Sequence, residues 1–228
     1  MPIASTDSDV SHLRLDILTR INIEDGLNAT WPKVVVDSDN QYHTVWIRDG
    51  DTVMYSLHDI DNTPLIQATK ISNSESIGLS KVDLAVDGLG FAHIVWSENA
   101  VDGSIIITVL NPHESLHDGQ QSTDNELSSV DDHVLFDDSG DEIRSWPSWP
   151  TIAIDNRENI HIVWTEIWVD DASYFNKPQI FYAMINYSNS VNELDVLIDA
   201  TELTHSVSNK GIPTISIDDA DRLTISWD

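Results

Sequence analysis

The chain has 228 residues and an ordinary 40% hydrophobic content, enough for one large all-β domain or two small ones with a real core. Against 11 basic residues stand 39 acidic ones, 29 Asp and 10 Glu, and a net charge of −28 makes phosphate backbones and anionic lipid poor partners. There is no Cys, so disulfides play no part, and no apolar run approaches the roughly 20 residues of a membrane span. The opening "MPIASTDSDV" lacks the basic and apolar parts of a signal peptide.

Taken in chain order, the predicted elements repeat. "PKVVVD", "VDLAVD", "PTIAID" and "PTISID" read as short first strands rich in β-branched residues, three of them opening on Pro, where a missing N–H costs least. Each ends on an Asp (Asp37, Asp87, Asp155 and Asp218), with spacings of 50, 68 and 63 residues. A polar turn follows, then the return strands "YHTVWI", "FAHIVWS", "IHIVWTE" and "LTISWD". Six positions after the Asp stand His43, His93, His161 and Thr224; nine after it stand Trp46, Trp96, Trp164 and Trp227. Third strands are expected at "TVMYSL", "SIIITVL" and "QIFYAMI", and weaker fourth strands at "LIQATKI", "HVLFD" and "LDVLIDATEL".

Four short antiparallel strands at this period describe β-propeller blades. The expected fold is therefore all-β, a β-propeller of four-stranded antiparallel blades in a single domain over 1–228. The repeats lie near 31–71, 80–137, 149–203 and 212–228, the last one incomplete, with an acidic insertion over 112–136. Leu18-Thr19-Arg20-Ile21 matches Ala68-Thr69-Lys70-Ile71, both 18 residues ahead of a repeat Asp counted from the Thr, so 13–21 reads as a closing strand. Such a strand protects the edge of a ring. A ring completed by a second chain, and hence a homo-oligomer, is a further expectation.

Antiparallel geometry puts the start of each first strand and the end of each second strand on one face, and the Asp turn on the other. The first face gathers Trp31, Arg48, Asp49, Lys81, Glu98, Asn99, Trp149 and Glu166, with Trp146 and Trp168 nearby. Trp beside carboxylates and amides suits sugar, offering a flat apolar platform with orienting hydrogen bonds. The competing reading has Trp31 and Trp149 packing between blades. The recurrent His and Trp columns read as structural, since one imidazole per blade is too dispersed for a metal site. Calcium is the more credible cation, at Asp37 and Asp39 of "DSDN" and at Asp218 and Asp221 of "DDADR". Neither stretch has the Gly and distal Glu of an EF-hand, and turn formation is the favoured role.

The recurrence of Pro, apolar strand, Asp, turn and "hvvW" strand resembles the blades of sialidase-like, BNR-type propellers over most of the chain. The strict Asp-box, Ser-x-Asp-x-Gly-x-Thr-Trp, does not occur. The resemblance implies a propeller; it also implies three arginines for a substrate carboxylate, a Tyr–Glu nucleophile pair and an Asp acid. Of Arg14, Arg20, Arg48, Arg144, Arg157 and Arg222, only Arg48 and Arg144 fall near the first face, so that set does not carry over. Glu98 and Glu166, each eleven after a repeat Asp, are the weak candidates for paired carboxylate catalysis.

The expected function is a non-catalytic binding or scaffold module for a glycan or a protein partner, extracellular or envelope-associated, without nucleic acid, membrane insertion or an obligate cofactor. Two rivals stand. One is a sialidase-like or other polysaccharide-processing enzyme, a glycoside hydrolase or lyase, or a fragment of one. The other is an architectural half-ring that assembles through its own edges.

Overall fold

A computed structural model describes residues 27–72, 79–98, 104–112, 135–136, 142–169, 178–187, 194–204 and 211–228. The first sheet is a four-stranded meander of β1 (Ala29–Val36), β2 (Tyr42–Arg48), β3 (Thr52–His58) and β4 (Pro64–Lys70). The second contains β5 (Val82–Val86), β6 (Ala92–Glu98) and β7 (Ser104–Leu110). The third runs β12 (Leu194–Glu202), β11 (Gln179–Tyr187), β10 (Ile160–Val169), β9 (Glu142–Ile154) and β8 (Leu135–Phe136). A last hairpin joins β13 (Thr214–Ile217) to β14 (Leu223–Ser226). Every pairing is antiparallel, and the fold is all-β among the described residues.

The sheets pack in chain order, with their first strands adjacent: β1 against β5, β5 against β9, and β9 against β13. Val45, Ile47, Val53, Tyr55 and Leu57 of the first sheet form one core with Val82, Leu84, Ala92, Ile94 and Trp96 of the second. Val95, Ile105 and Ile107 on the second sheet's other face join Ile152, Ile160, Ile162, Trp164, Phe181, Ala183 and Ile185 of the third. Alternation along β6 thus feeds two cores, as expected for a sheet covered on both sides. Each fully buried Ile or Val contributes about 1.5–3 kcal/mol, so these interfaces supply much of the fold's stability. Trp96 and Trp164 fill the gap toward the preceding sheet, whereas Trp227 on the short last hairpin is 42% exposed.

Two expectations need correction. "HVLFD" was expected as the second sheet's fourth strand, but Leu135–Phe136 pairs with β9, Leu135 opposite Ile143 and Phe136 opposite Glu142. The second sheet therefore has three strands among the described residues. The first strand of the third repeat was expected to begin near Trp149. Instead β9 starts at Glu142 and β10 extends to Val169, pairing Trp146 with Ile167 and Ser145 with Trp168. The apolar and β-branched residues on both sides of the "SWPSWP" bend allow the hairpin to continue past it. The expected closing strand at 13–21 and most of the 112–136 insertion lie outside the described residues.

The repeat Asp closes each hairpin turn. Asp37 Oδ1 accepts from the Asp39 and Gln41 amides at 2.9 and 2.7 Å. Asp87, Asp155 and Asp218 accept equivalent pairs, from Leu89 and Phe91, Arg157 and Asn159, and Ala220 and Arg222. The second oxygen takes the residue six on: His43, His93 or His161 through Nε2 at 3.2, 2.9 and 3.4 Å. With the Nε2 proton shared with Asp, Nδ1 of His43 and His161 accepts from Tyr55 and Tyr182, both at 2.9 Å. Burial, then the Asp37 charge, pushes the Tyr55 phenol far above its ordinary range, which keeps it a donor. In the last hairpin Arg222 replaces the imidazole, donating to Asp218 from Nε at 2.7 Å.

Candidate functional site

The end of the hairpins opposite these turns carries the same irregularity in the first and third sheets. In β1, Thr30 pairs with Ile47 and Lys33 with Val45, so Trp31 and Pro32 together oppose one residue, Trp46. In β9, Ser148 pairs with Thr165 and Thr151 with Val163, so Trp149 and Pro150 oppose Trp164. These are β-bulges, which bend a strand and re-aim its side chains. At both bulges the Trp is left-handed, with φ 53° at Trp31 and 51° at Trp149. A Cβ opposes that conformation, and the following Pro pushes its predecessor toward extended backbone, so the arrangement is doubly disfavoured. Such strain costs about 1–3 kcal/mol and concentrates at functional positions.

Side-chain and backbone bonds stitch the same ends together from sheet to sheet. The Leu79 amide donates to Gly50 O at 3.1 Å, joining the second sheet to the β2–β3 turn of the first. The Trp149 amide donates to Ser80 Oγ at 3.2 Å, and Ser80 hydrogen-bonds Ser97. Thr165 Oγ1 donates to Gly211 O at 3.0 Å, which ties in the last hairpin.

A polar row crosses the first strands just inside these ends. Lys33, Asp83, Thr151 and Thr214 each stand four residues before a repeat Asp. Lys33 Nζ lies 2.9 Å from Asp83 Oδ1, and Thr151 Oγ1 donates to Asp83 Oδ2 at 2.6 Å. The Ile152 amide adds a longer contact of 3.4 Å to Oδ2, and the Leu84 amide donates to Oδ1 at 2.9 Å. Asp83 is buried, at 3% exposure, among groups that satisfy both oxygens. Lys81 is half-buried one row above it. Desolvation lowers its pKa, the Asp83 charge opposes that, and the Lys33 charge adds to it.

The residues singled out by sequence fall as follows. Trp31 is 42% exposed at the β1 bulge, and Arg48 pairs with Ala29 at the same end of that hairpin. Asp49 occupies the adjoining turn in left-handed conformation, and its amide donates to Asn28 O at 2.7 Å. Trp149 is half-buried at the β9 bulge opposite Trp164, and Glu166 pairs with Pro147 on the same strand pair. Glu98 and Glu166 each accept from the indole N–H two residues back, Trp96 at 3.1 Å and Trp164 at 3.0 Å. Glu166 is 2% exposed, so its carboxylate braces the repeat Trp. Asn99 and the Trp168 side chain lie outside the described residues.

Asp37 and Asp218 sit in the opposite turns, their carboxylates occupied as described above. The Asp39 side chain is exposed, and Asp221 accepts from the Asn156 amide at 2.9 Å. Among the described residues no three His, Cys, Asp or Glu converge to hold a metal ion.

The row of Lys33, Asp83 and Thr151 escaped the sequence reading. Its signal was available: a charged or hydroxyl residue inside otherwise apolar, β-branched strands, at one fixed offset from the repeat Asp.

No protein-family model and no curated protein matches the chain. Solved structures do resemble it. An endo-arabinase from Bacteroides thetaiotaomicron superposes with a TM-score of 0.47 at 16% identity, over 86% of this chain and 68% of that one. An alpha-L-arabinofuranosidase from Clostridium thermocellum gives 0.44 at 11% identity, over 86% of this chain and 60% of that one. A protein of unknown function from Dyadobacter fermentans gives a TM-score of 0.56 at 8% identity, over 88% of this chain. The chain spans 62% of that protein's length. That likeness is one of fold.

Proposed function

We propose that the chain is a β-propeller module of sialidase-like, BNR-type blades that binds a glycan at the first-strand end of its sheets. The observation that carries this reading is the pair of left-handed Trp residues, Trp31 and Trp149, held at equivalent bulges with a polar row beside them. Strained aromatic platforms next to Lys, Thr and amide groups offer a sugar both an apolar face and directional hydrogen bonds. Glu98 and Glu166 accept from indole N–H groups rather than standing unengaged, which favours binding over hydrolysis. The module acts outside the cell or at its envelope, where polysaccharide is met.

A glycan array probed with the wild-type chain and with Trp149→Ala tests the reading. Binding lost in the variant, with its melting curve retained, supports it. Turnover of a chromogenic glycoside that disappears in Glu166→Gln would replace the binding module with a polysaccharide-processing enzyme.

A second reading has its own observation. The last hairpin, β13–β14, is a sheet of two strands among the described residues, where complete repeats have four or more. In this reading we infer that a second copy pairs with this hairpin and completes the ring. A solution mass of one chain across a hundredfold range of concentration would rule that assembly out.

A further inference from the structure

Resting on the second-copy reading, we propose that residues 17–21 of a second chain add to the outer edge of β14 as a third strand. Ile17 then opposes Trp227, Thr19 opposes Ile225 and Ile21 opposes Leu223. Among the described residues no strand pairs with that edge. Trp227 is 42% exposed, whereas Trp96 and Trp164 at the equivalent position are each 2% exposed. The larger sheets show what covers the indole. Trp46, Trp96 and Trp164 each face a large apolar residue of the third strand, Met54, Ile106 and Phe181 respectively. The Trp164 and Phe181 rings stack with centroids 5.8 Å apart.

The next positions on that face follow one rule. Thr44 faces Ser56 and Tyr42 faces His58; Ile94 faces Thr108 and Ala92 faces Leu110; Ile162 faces Ala183 and Ile160 faces Ile185. A third strand therefore reads large, small, large at alternate residues, which share one face of a sheet. Ile17-Leu18-Thr19-Arg20-Ile21 has that pattern, and its Ile-x-Thr-x-Ile matches Ile106-x-Thr108-x-Leu110 of β7. These five residues lie outside the described residues, so the match is one of sequence. The outer strand β12 supplies a second observation. Its Thr201 pairs with Tyr182 as Thr69 of β4 pairs with Tyr55, so Leu197, Ile198 and Leu203 correspond to Leu65, Ile66 and Ile71. The β4 trio packs against the core shared with the second sheet, whereas the β12 trio is exposed beside the two-stranded hairpin. A strand added to β14 extends that hairpin toward them. A second chain is the donor because the first sheet is not closed on the last hairpin within one chain. Val35 packs toward the second sheet, and Val34 and Val36, on the other face of β1, are exposed. Reciprocal donation gives a closed two-fold dimer.

The test uses the full chain and sedimentation equilibrium over a range of concentrations, with the wild type expected as a dimer. A donor variant carries Ile17→Asp with Ile21→Asp, and an acceptor variant carries Trp227→Asp. Each should raise the dimer Kd at least about hundredfold, since both reciprocal contacts are lost and burial of one such side chain contributes about tenfold or more. Retained melting curves confirm that both variants fold. Mixing them restores one contact, because the donor variant still accepts and the acceptor variant still donates. A one-to-one dimer should then form, with a Kd between those of the wild type and the variants. A wild-type dimer that either variant leaves at unchanged Kd overturns the inference and leaves the second-copy reading standing. Monomeric variants that do not combine on mixing also overturn it, since the strand then serves its own chain. A wild type that stays monomeric at every concentration overturns both.

Discussion

The Thr151 hydroxyl donates to Asp83 Oδ2 at 2.6 Å, from the third sheet to the second, and Lys33 closes on the other oxygen from the first. One buried carboxylate therefore links the first strands of three sheets. Thr151→Val removes a donor at nearly constant volume and should cost about 1–3 kcal/mol, the penalty for an undersatisfied buried acceptor. The double variant with Asp83→Asn should lose less than the sum, with coupling of about 0.5–3 kcal/mol. Urea titration of the four proteins measures this; strict additivity would show that the bond contributes nothing to the joint between the sheets.

The turn aspartates set the acid limit. Burial raises the Asp87 carboxyl, but hydrogen bonds from His93 and from the Phe91 and Leu89 amides outweigh it and leave the pKa lowered. Asp155 behaves alike: burial raises it, while Asn159, Arg157 and His161 bring it below the ordinary value. A carboxyl whose folded pKa lies below its unfolded value stabilises above the unfolded value of about 3.9. That contribution disappears as pH falls through the folded value. Stability should therefore drop steeply below about pH 4, and Asp87→Asn should flatten the slope. Chemical denaturation between pH 7 and pH 3 provides the check, and an identical slope in the variant would contradict the assignment.

Much of this was legible in the sequence because the hairpin is local. Asp37, its turn, His43 and Trp46 lie within ten residues, so one strand pair carries the whole signature, and four copies reinforce it. The structural role expected for the His column also follows from that spacing, because six residues across a tight turn return Nε2 to the Asp. The row of Lys33, Asp83 and Thr151 is a different case. Its members are 50 and 68 residues apart and differ in type, and their contact depends on how whole sheets pack. The placement of Leu135–Phe136 beside β9 is tertiary in the same sense, since an apolar pair carries no mark of its partner strand. Left-handed Trp31 and Trp149 ran against expectation altogether, because a residue before Pro is expected to be extended.

Calcium addresses the turns directly. Asp37 Oδ1 already accepts two amides and its Oδ2 faces His43, so a cation would have to displace those donors. Asp218 is likewise held by the Ala220 and Arg222 amides and by the Arg222 guanidinium. The expected result is a melting temperature unmoved by millimolar calcium or by chelator. A site filled to a hundred times its dissociation constant would add about 2.7 kcal/mol and raise the midpoint by several degrees, so a bound ion is readily distinguished.

Position 31 separates backbone strain from side-chain packing. In an ordinary strand Gly is less stable than Ala by about 0.5–1 kcal/mol, because it loses more backbone entropy on folding. At Trp31 the backbone is left-handed, with φ 53°, and the side chain is 42% exposed. Ala there retains the Cβ penalty of about 1–2 kcal/mol, whereas Gly removes it. The order should therefore reverse, with Trp31→Gly more stable than Trp31→Ala by up to about 1 kcal/mol. Both variants remove the platform, so both should lose glycan affinity, and to the same extent. If Ala proved the more stable, the bulge would not be strained and the argument from strain to function would fail. If the reversal held while glycan affinity stayed at the wild-type level, the strain would be real and Trp31 would belong to the fold alone.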